Sequence, residues 1–343
     1  MAPLVSILIP AYNSEKWIAD TIRSAMAQTW QPKEIIIVDD GSTDRTLEVA
    51  RQFESESVRV FRQENQGAAA ARNKAYSLSQ GDYIQWLDAD DLLSSDKIVR
   101  QMEALRPEDS RRILLSSSWG QFMYRPHRAR FKASALWCDL SPAEFLLRKL
   151  EQKASMQTSV WLVSRDLAEA AGPWDTRMIS DDDGEYFCRV LLASVGVRFV
   201  REARVYYRSA GTGSLSHVGR SNRKLEALWQ SMQLHISYLR SLEDSERVHA
   251  ACLKYLQNYL LDFYPQRLDI VEQLHQAAKE LGGRLDPPRL SWKYAWIQPI
   301  FGWGLAQRAQ LLLPHVKWSF IRFWDQTIFR IESREFARTK LGL

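Results

Sequence analysis

The sequence predicts an α/β fold, with a largely parallel sheet flanked by helices and a mostly helical C-terminal extension. Three observations predict it. Over the first 120 residues, short apolar runs of strand length alternate with amphipathic segments of helix length. Polar residues, many of them acidic, stand directly after those runs. Beyond about Leu215, helical periodicity takes over almost completely. Alternating β and α units of this size imply parallel strands joined by right-handed crossovers. In such sheets the ligand sits beyond the carboxyl ends of the strands.

Taken in order, Val5 to Ile9 reads as a buried strand and Glu15 to Gln28 as a helix. Ile35 to Val38 forms a second strand, ending at Asp39-Asp40-Gly41-Ser42. Ser42 or Thr43 is expected to cap a helix running to about Phe53. Val58 to Phe61 is the third strand and the Ala-rich stretch Gly67 to Leu78 the third helix. Tyr83 to Leu87 is the fourth strand and ends directly on Asp88. Asn13, Asp39, Asp40 and Asp88 to Asp91 therefore all fall at strand ends, which makes this region the expected site. From Ile113 to Tyr207 the pattern mixes helices with short extended pieces at 113–117, 157–164, 198–199 and 205–207. Helices are expected over 225–242, 247–262 and 266–281, with Gly282-Gly283 stopping the last.

At 343 residues the chain has room for one large domain with an appendage, or for two domains. Cys138, Cys188 and Cys252 show no ligand spacing, which argues against a disulfide framework or structural zinc and fits a reducing compartment. The N-terminus lacks a basic leader, and no apolar run reaches the roughly 18 residues of a membrane span, so a cytoplasmic location is expected. The formal charge of +5 is unevenly placed: residues 284–343 hold ten Lys/Arg against four Asp/Glu, interleaved with Trp292, Trp296, Trp303, Trp318 and Trp324. That composition suits an anionic lipid surface or an anionic substrate. The rival reading is a basic helical tail packed on the rest of the chain. Pro299 and Pro314 are expected to break any long helix, so membrane contact through 292–324 would be peripheral, on the inner face. No recognition motif accompanies the charge, so nucleic acid is not expected as a partner.

Crowded carboxylates repel and raise one another's pKa unless a cation or hydrogen-bond donors compensate. Asp88-Ala89-Asp90, placed at a strand end, therefore suggests a hard divalent cation (Mg²⁺ or Mn²⁺) bridging protein oxygens and a diphosphate. The plainer alternative is helix capping, by Asp91 or Ser94. A second cluster, Asp181-Asp182-Asp183 with Glu185, precedes the apolar helix Tyr186 to Leu192. The helix dipole alone accounts for acids there, but three consecutive aspartates exceed what capping needs, and one is placed to act as a general base.

Four stretches then match one family in order and spacing: Ser6-Ile-Leu-Ile-Pro-Ala-Tyr-Asn13, Val38-Asp-Asp-Gly-Ser-Thr-Asp44, Asn65-Gln-Gly-Ala-Ala-Ala-Ala-Arg-Asn73 and Tyr83-Ile-Gln-Trp-Leu-Asp-Ala-Asp-Asp91. From about Leu4 to Ser216 the chain resembles the family 2 glycosyltransferases of GT-A fold, a Rossmann-like mixed sheet flanked by helices. The resemblance implies a catalytic unit over 1–215 with a nucleotide-binding half to about 120 and an acceptor half beyond it. A helical region over 216–283 and the basic Trp-rich tail over 284–343 would follow. It implies that Pro10, Ala11, Tyr12 and Asn13 line the base pocket, bordered by Gly67 and Arg72. Asp40 would accept from the base imide, favouring a UDP-linked donor. Asp88, with Ala89 beside it, would face the ribose and Asp90 would bind the metal. Asp182-Asp183 resembles the family's Glu/Asp-Asp pair, making Asp183 the expected base of an inverting, in-line displacement. The acceptor would be a glycan or lipid-linked hydroxyl of cell-surface polysaccharide or glycoconjugate synthesis.

Two departures stand out. The family commonly carries Tyr-Arg-x-His here, whereas Tyr207-Arg208-Ser209-Ala210 has alanine in place of the histidine; His217 is the nearest substitute. Asp182 stands where glutamate is usual. A nucleotidyltransferase would need a Gly-rich basic loop after the first strand, and Ala11-Tyr-Asn-Ser-Glu15 is not one. A dinucleotide oxidoreductase would need G-x-G-x-x-G after a strand, and Gly211-Thr-Gly213-Ser-Leu-Ser216 lacks the third glycine. A catalytically silent nucleotide-sugar-binding or scaffold protein of the same fold is the remaining alternative.

Overall fold

The computed structural model describes residues 2–106, 109, 111–179, 181–209, 221–288 and 290–341. Ala210, His217 and the Gly211 to Ser216 stretch lie outside the described residues.

The first half is built from β1 (Val5–Ala11), α1 (Ile18–Met26), β2 (Lys33–Asp40), α2 (Thr46–Arg51), β3 (Val58–Gln63), α3 (Ala68–Leu78) and β4 (Tyr83–Trp86). Strands β3, β2, β1 and β4 lie side by side in that order and run parallel. Every residue of β1 is buried, as its unbroken apolar run requires of a strand covered on both faces. Each fully buried Ile or Val of this sheet contributes about 1.5–3 kcal/mol over leaving it exposed. Ala69, Ala71 and Ala75 are buried in α3, which lies against β1 and β2. Their small side chains let the helix approach the sheet closely, and Arg72, in their midst, is only 6 % exposed.

The second half comprises β5 (Leu92–Leu93), α4 (Lys97–Glu103), β6 (Ile113–Phe122), β7 (Arg130–Phe131), α5 (Pro142–Gln152), β8 (Val163–Ser164), α6 (Arg165–Ala171), α7 (Asp182–Ala193) and β9 (Gly196–Arg208). Strand β8 adds antiparallel to β4, and β5, β9, β6 and β7 form a second sheet of mixed direction. The mixed sheet flanked by helices is as the sequence predicts. The extended pieces read separately at 198–199 and 205–207 are one strand, β9. Exposed Arg201 and Glu202 interrupt its apolar pattern, and the register against β6 shifts there. The Ser118 hydroxyl donates to the carbonyls of Arg201 (2.8 Å) and Ala203 (3.0 Å), satisfying the irregular segment.

Helices α8 (Asn222–Leu242), α9 (Glu246–Phe263) and α10 (Leu268–Glu280) follow, then α11 (Trp292–Ala295) and α12 (Gln298–Leu341). Helix α8 packs on α5 and α7, and α9 packs on α5. The expected breaks at Pro299 and Pro314 are corrected. Pro299 sits in the first turn of α12, where its missing N–H would be unpaired in any case, and the helix runs through position 314. The break falls at Gly302 instead (φ 77°, ψ 167°), a conformation glycine adopts without a Cβ penalty. The capping expectation for α2 is likewise corrected. The helix begins at Thr46, and Ser42 and Thr43 bond to Asn13 rather than to helix amides.

Candidate functional site

The strand order reverses at β1, with β2 on one side and β4 on the other, so the crevice opens beyond the ends of β1 and β4. Pro10 and Ala11 are buried at the end of β1, paired with Val38 and Asp39, while Tyr12 is half exposed. The loops after β1 and β2 are stitched together. Asn13, in the left-handed region at φ 47°, receives the Thr43 N–H on Oδ1 at 2.9 Å. The Asn13 N–H donates to Ser42 Oγ at 3.0 Å, and Ser14 N–H donates to Thr46 Oγ1 at 2.6 Å. These bonds hold the Tyr12–Asn13 turn open over the crevice.

Asp40, 2 % exposed, organises the next wall. Its Oδ1 accepts from Gln63 Nε2 (2.8 Å) and Gln66 N (3.0 Å), and its Oδ2 accepts from Gly67 N (2.8 Å). One acceptor direction is left, on Oδ2. Gly67 itself takes φ 92° to start α3. Gly41, Arg62, Gln63, Glu64 and Asn65 line an open groove of about 570 Å³ beside Asp40. Gly41 is required there: at φ 73°, a Cβ would also lie 2.8 Å from Asn65 N.

At the end of β4, Asp88 and Asp90 face the crevice partly exposed, while Asp91 is fully buried. Asp91 does not cap α4, whose N-cap is Asp96. Its Oδ1 accepts from Arg208 N (2.9 Å) and its Oδ2 from Ser159 Oγ (3.2 Å), so it anchors β4 to β9. Burial, followed by the neighbouring acids, pushes the Asp91 carboxyl well above the usual carboxylate range. Burial first, then Asp88, raises Asp90 to about 6, with Arg208 offsetting part of the rise. The Arg208 guanidinium lies over the Trp17 ring at 4.2 Å and donates from Nε to the Asp90 carbonyl at 2.8 Å. Burial lowers its pKa.

Arg72 joins the two acidic clusters. Its Nη2 meets Asp88 Oδ1 at 2.8 Å and its Nη1 meets Asp182 Oδ2 at 2.7 Å, while the guanidinium stacks 4.4 Å from the Trp174 ring. Burial works to lower its pKa, but the carboxylates of Asp182 and Asp88 outweigh that and raise it. Asp181 takes a left-handed turn (φ 58°) into α7, so Asp182, Asp183 and Glu185 all stand in the helix's first turn. Asp183 Oδ1 accepts from Gly184 N at 2.9 Å, and Thr158 Oγ1 lies 3.5 Å from Oδ2. Burial, then Asp182 and Asp181, push Asp183 to about 7; Arg72 and Lys149 oppose the shift. The turn is held from the extension by Ser231 Oγ, which donates to Asp181, and His235 Nε2 lies 3.7 Å from the same carboxylate.

Among the described residues no three His, Cys, Asp or Glu side chains converge as a ready-made cation site. The donor set still fits a shared cation. Asp90 is a partly exposed carboxylate whose proton affinity is raised by its partial burial and by Asp88, and hard cations complete their shell with phosphate and water oxygens.

Arg208 and Trp17 are the site residues that the sequence reading left out. Arg208 stood one position inside the motif that drew attention to Ala210. Trp17 carries no spacing signal, since its role depends on which guanidinium folds over it.

Parallel strands ending in acids, with a second acidic cluster at a helix start facing them, make up a GT-A fold. Residues 6–141 match the family described as glycosyl transferase family 2. TuaG of Bacillus subtilis (strain 168), provisionally named a teichuronic acid biosynthesis glycosyltransferase, is 45 % identical over 104 residues, 29 % of this chain. The chain spans only 41 % of that relative's length. The structure of S. aureus TarS 1–349 in complex with UDP-GlcNAc superposes with a TM-score of 0.64 at 18 % identity, over 89 % of this chain and 90 % of that one. The mannosyltransferase PcManGT from Pyrobaculum calidifontis, in complex with GDP-Man and Mn²⁺, gives 0.52 at 18 % identity, over 95 % and 85 % of the two chains.

Proposed function

We propose that the protein is an inverting glycosyltransferase that moves a sugar from a UDP-linked donor to a hydroxyl of a glycan or lipid-linked acceptor in cell-surface polysaccharide synthesis. Residues 1–215 are the catalytic unit, 216–283 buttress it, and 284–343 form a tail that touches the inner face of the membrane through 292–324. The observation that carries the reading is Arg72. Bound at once to Asp88 and Asp182, it sets the base-bearing turn against the donor-side acids across 110 residues of sequence.

Asp40 and the 63–67 loop receive the base, with Tyr12 and Asn13 on the opposite wall. Asp88 faces the ribose, and Asp90 would hold a divalent cation, which when bound would supply positive charge at the diphosphate leaving group. Asp183, at about 7, is poised to take the acceptor hydroxyl's proton at neutral pH. A deprotonated hydroxyl oxygen attacks the anomeric carbon as its bond to the diphosphate oxygen breaks, inverting the centre. TarS bound to UDP-GlcNAc supports the uridine donor, and PcManGT with Mn²⁺ supports the cation.

The direct test is a thermal-shift screen of nucleotide sugars with and without Mn²⁺, followed by turnover of Asp183→Asn and Asp182→Asn with the best donor. Loss in the first variant with donor binding kept is expected. Loss in the second alone moves the base by one residue, and donor binding without transfer or hydrolysis in wild type favours a silent scaffold.

A further inference from the structure

Resting on the reading of the tail as a peripheral membrane segment, we infer that α12 is an interfacial helix fixed in one rotational setting by Arg125. In that setting the stripe Leu313, Phe320, Trp324 and Ile331 meets an anionic bilayer.

Those four side chains are 51, 73, 61 and 53 % exposed. Their spacing of seven, four and seven residues puts them on one side of the helix. Asp325 and Glu332 each follow a stripe residue directly, so they lie about 100° further round the helix. Both are bound by Arg125 of the catalytic unit. Arg125 Nε reaches Asp325 Oδ1 at 2.8 Å, and Arg125 Nη1 reaches Glu332 Oε1 at 3.0 Å. The Tyr124 N–H also donates to Asp325 Oδ2 at 3.0 Å, and the Tyr124 ring packs 6.0 Å from Phe329. Two attachments one heptad apart fix rotation as well as position, so the catalytic unit grips a flank and leaves the stripe free.

Charge selects the partner. Of the four acids among residues 284–343, the two on this helix flank are both paired with Arg125, whose one positive charge offsets half of theirs, while ten Lys/Arg stand in the same span. Trp292 and Trp296 upstream are also exposed, and exposed Phe323 borders the stripe. A broad Trp-rich face with a basic surround fits the headgroup region of an anionic leaflet. A helix pairing with a second copy needs only a narrow seam. The grip also lies close to the reaction centre. The Tyr124 ring is 5.6 Å from Trp17, whose face carries Arg208, the residue bonded to the Asp90 carbonyl. Docking of this stripe therefore holds the crevice at a set height beside the lipid, where a lipid-linked hydroxyl can reach it.

The test uses the full chain and phosphatidylcholine vesicles with and without phosphatidylglycerol. Wild type should sediment with the anionic vesicles in a salt-sensitive manner. The double variant Phe320→Glu, Trp324→Glu should lose about tenfold or more of that binding while melting as wild type does. If wild type ignores anionic vesicles, the membrane reading falls and this inference with it. If the double variant instead separates a dimer in sedimentation velocity and vesicle binding stays intact, the stripe is an interface between copies. The rotational claim is read separately, by energy transfer from a fluorescent amino acid at exposed position 56 to a bilayer dye. Asp325→Asn with Glu332→Gln should keep vesicle binding but spread the transfer distribution. An unchanged distribution with binding intact overturns the role of Arg125 and leaves the membrane reading standing.

Discussion

Replacing Asp183 with asparagine separates its chemistry from its effect on stability. Its carboxyl is raised from an ordinary value of 3.8 to about 7, chiefly by burial and then by Asp182 and Asp181. A folded-state pKa above the unfolded value means the native fold favours the protonated form. The penalty for ionising Asp183 is therefore absent below about pH 4, grows as pH rises, and is complete above about pH 7. A shift of about three units corresponds to roughly 4 kcal/mol at most, and sharing with the neighbouring acids reduces the recoverable part to about 1–2 kcal/mol. Asparagine keeps the acceptor for Gly184 N–H and removes the charge. Asp183→Asn should therefore melt level with wild type near pH 4 and a few degrees above it at pH 8, while turnover falls about 10²- to 10⁴-fold. Calorimetry across pH, paired with a donor-consumption assay, reads both quantities. A variant that is less stable than wild type at pH 8, or that turns over normally, would refute the account of a strained general base.

Other expectations follow from the same contacts. In wild type, the rate at saturating donor should rise with pH through a limb near 7, set by deprotonation of Asp183; a flat profile between pH 5 and 8 removes it as base. Asp90→Ala should abolish Mn²⁺-dependent tightening of donor binding in calorimetric titrations while leaving metal-free nucleoside binding within about twofold. Arg72→Ala leaves Asp88 and Asp182 without their shared cation and should lower stability by about 3 kcal/mol in denaturant unfolding, the lower end for a buried pair, because both carboxylates keep some solvent. Gly41→Ala, at φ 73° and with its new carbon 2.8 Å from Asn65 N, should weaken nucleotide binding about tenfold, measured by thermal shift, by pushing the 63–67 loop off Asp40.

Much of the fold could be read directly. The unbroken run at Ile35 to Val38 can only be a strand buried on both faces, and the alanines of α3 announce a helix pressed on a sheet. Asp40, Asp88 and Asp90 were legible because a strand's end is fixed by local pattern. The single strand β9 was not, because exposed Arg201 and Glu202 break its alternation while hydrogen bonds to β6 carry the backbone past them. The helix through Pro314 was missed for a related reason: local propensity argues for a stop, and it is overridden within the helix that follows the Gly302 break. Arg72 was expected at the rim of the base pocket, and only folding shows it between Asp88 and Asp182.

The sequence by itself determined the order of strands and helices and the acids at the strand ends, because these depend on residue type and near neighbours along the chain. The tertiary structure alone decided which distant groups share an electrostatic environment. Arg72 binds two carboxylates, Arg208 lies on Trp17 above the Asp90 carbonyl, and Arg125 grips α12 across 200 residues of sequence. Burial and proximity set the proton affinity of Asp183 and the facing of the tail, and neither quantity exists until the chain has closed on itself.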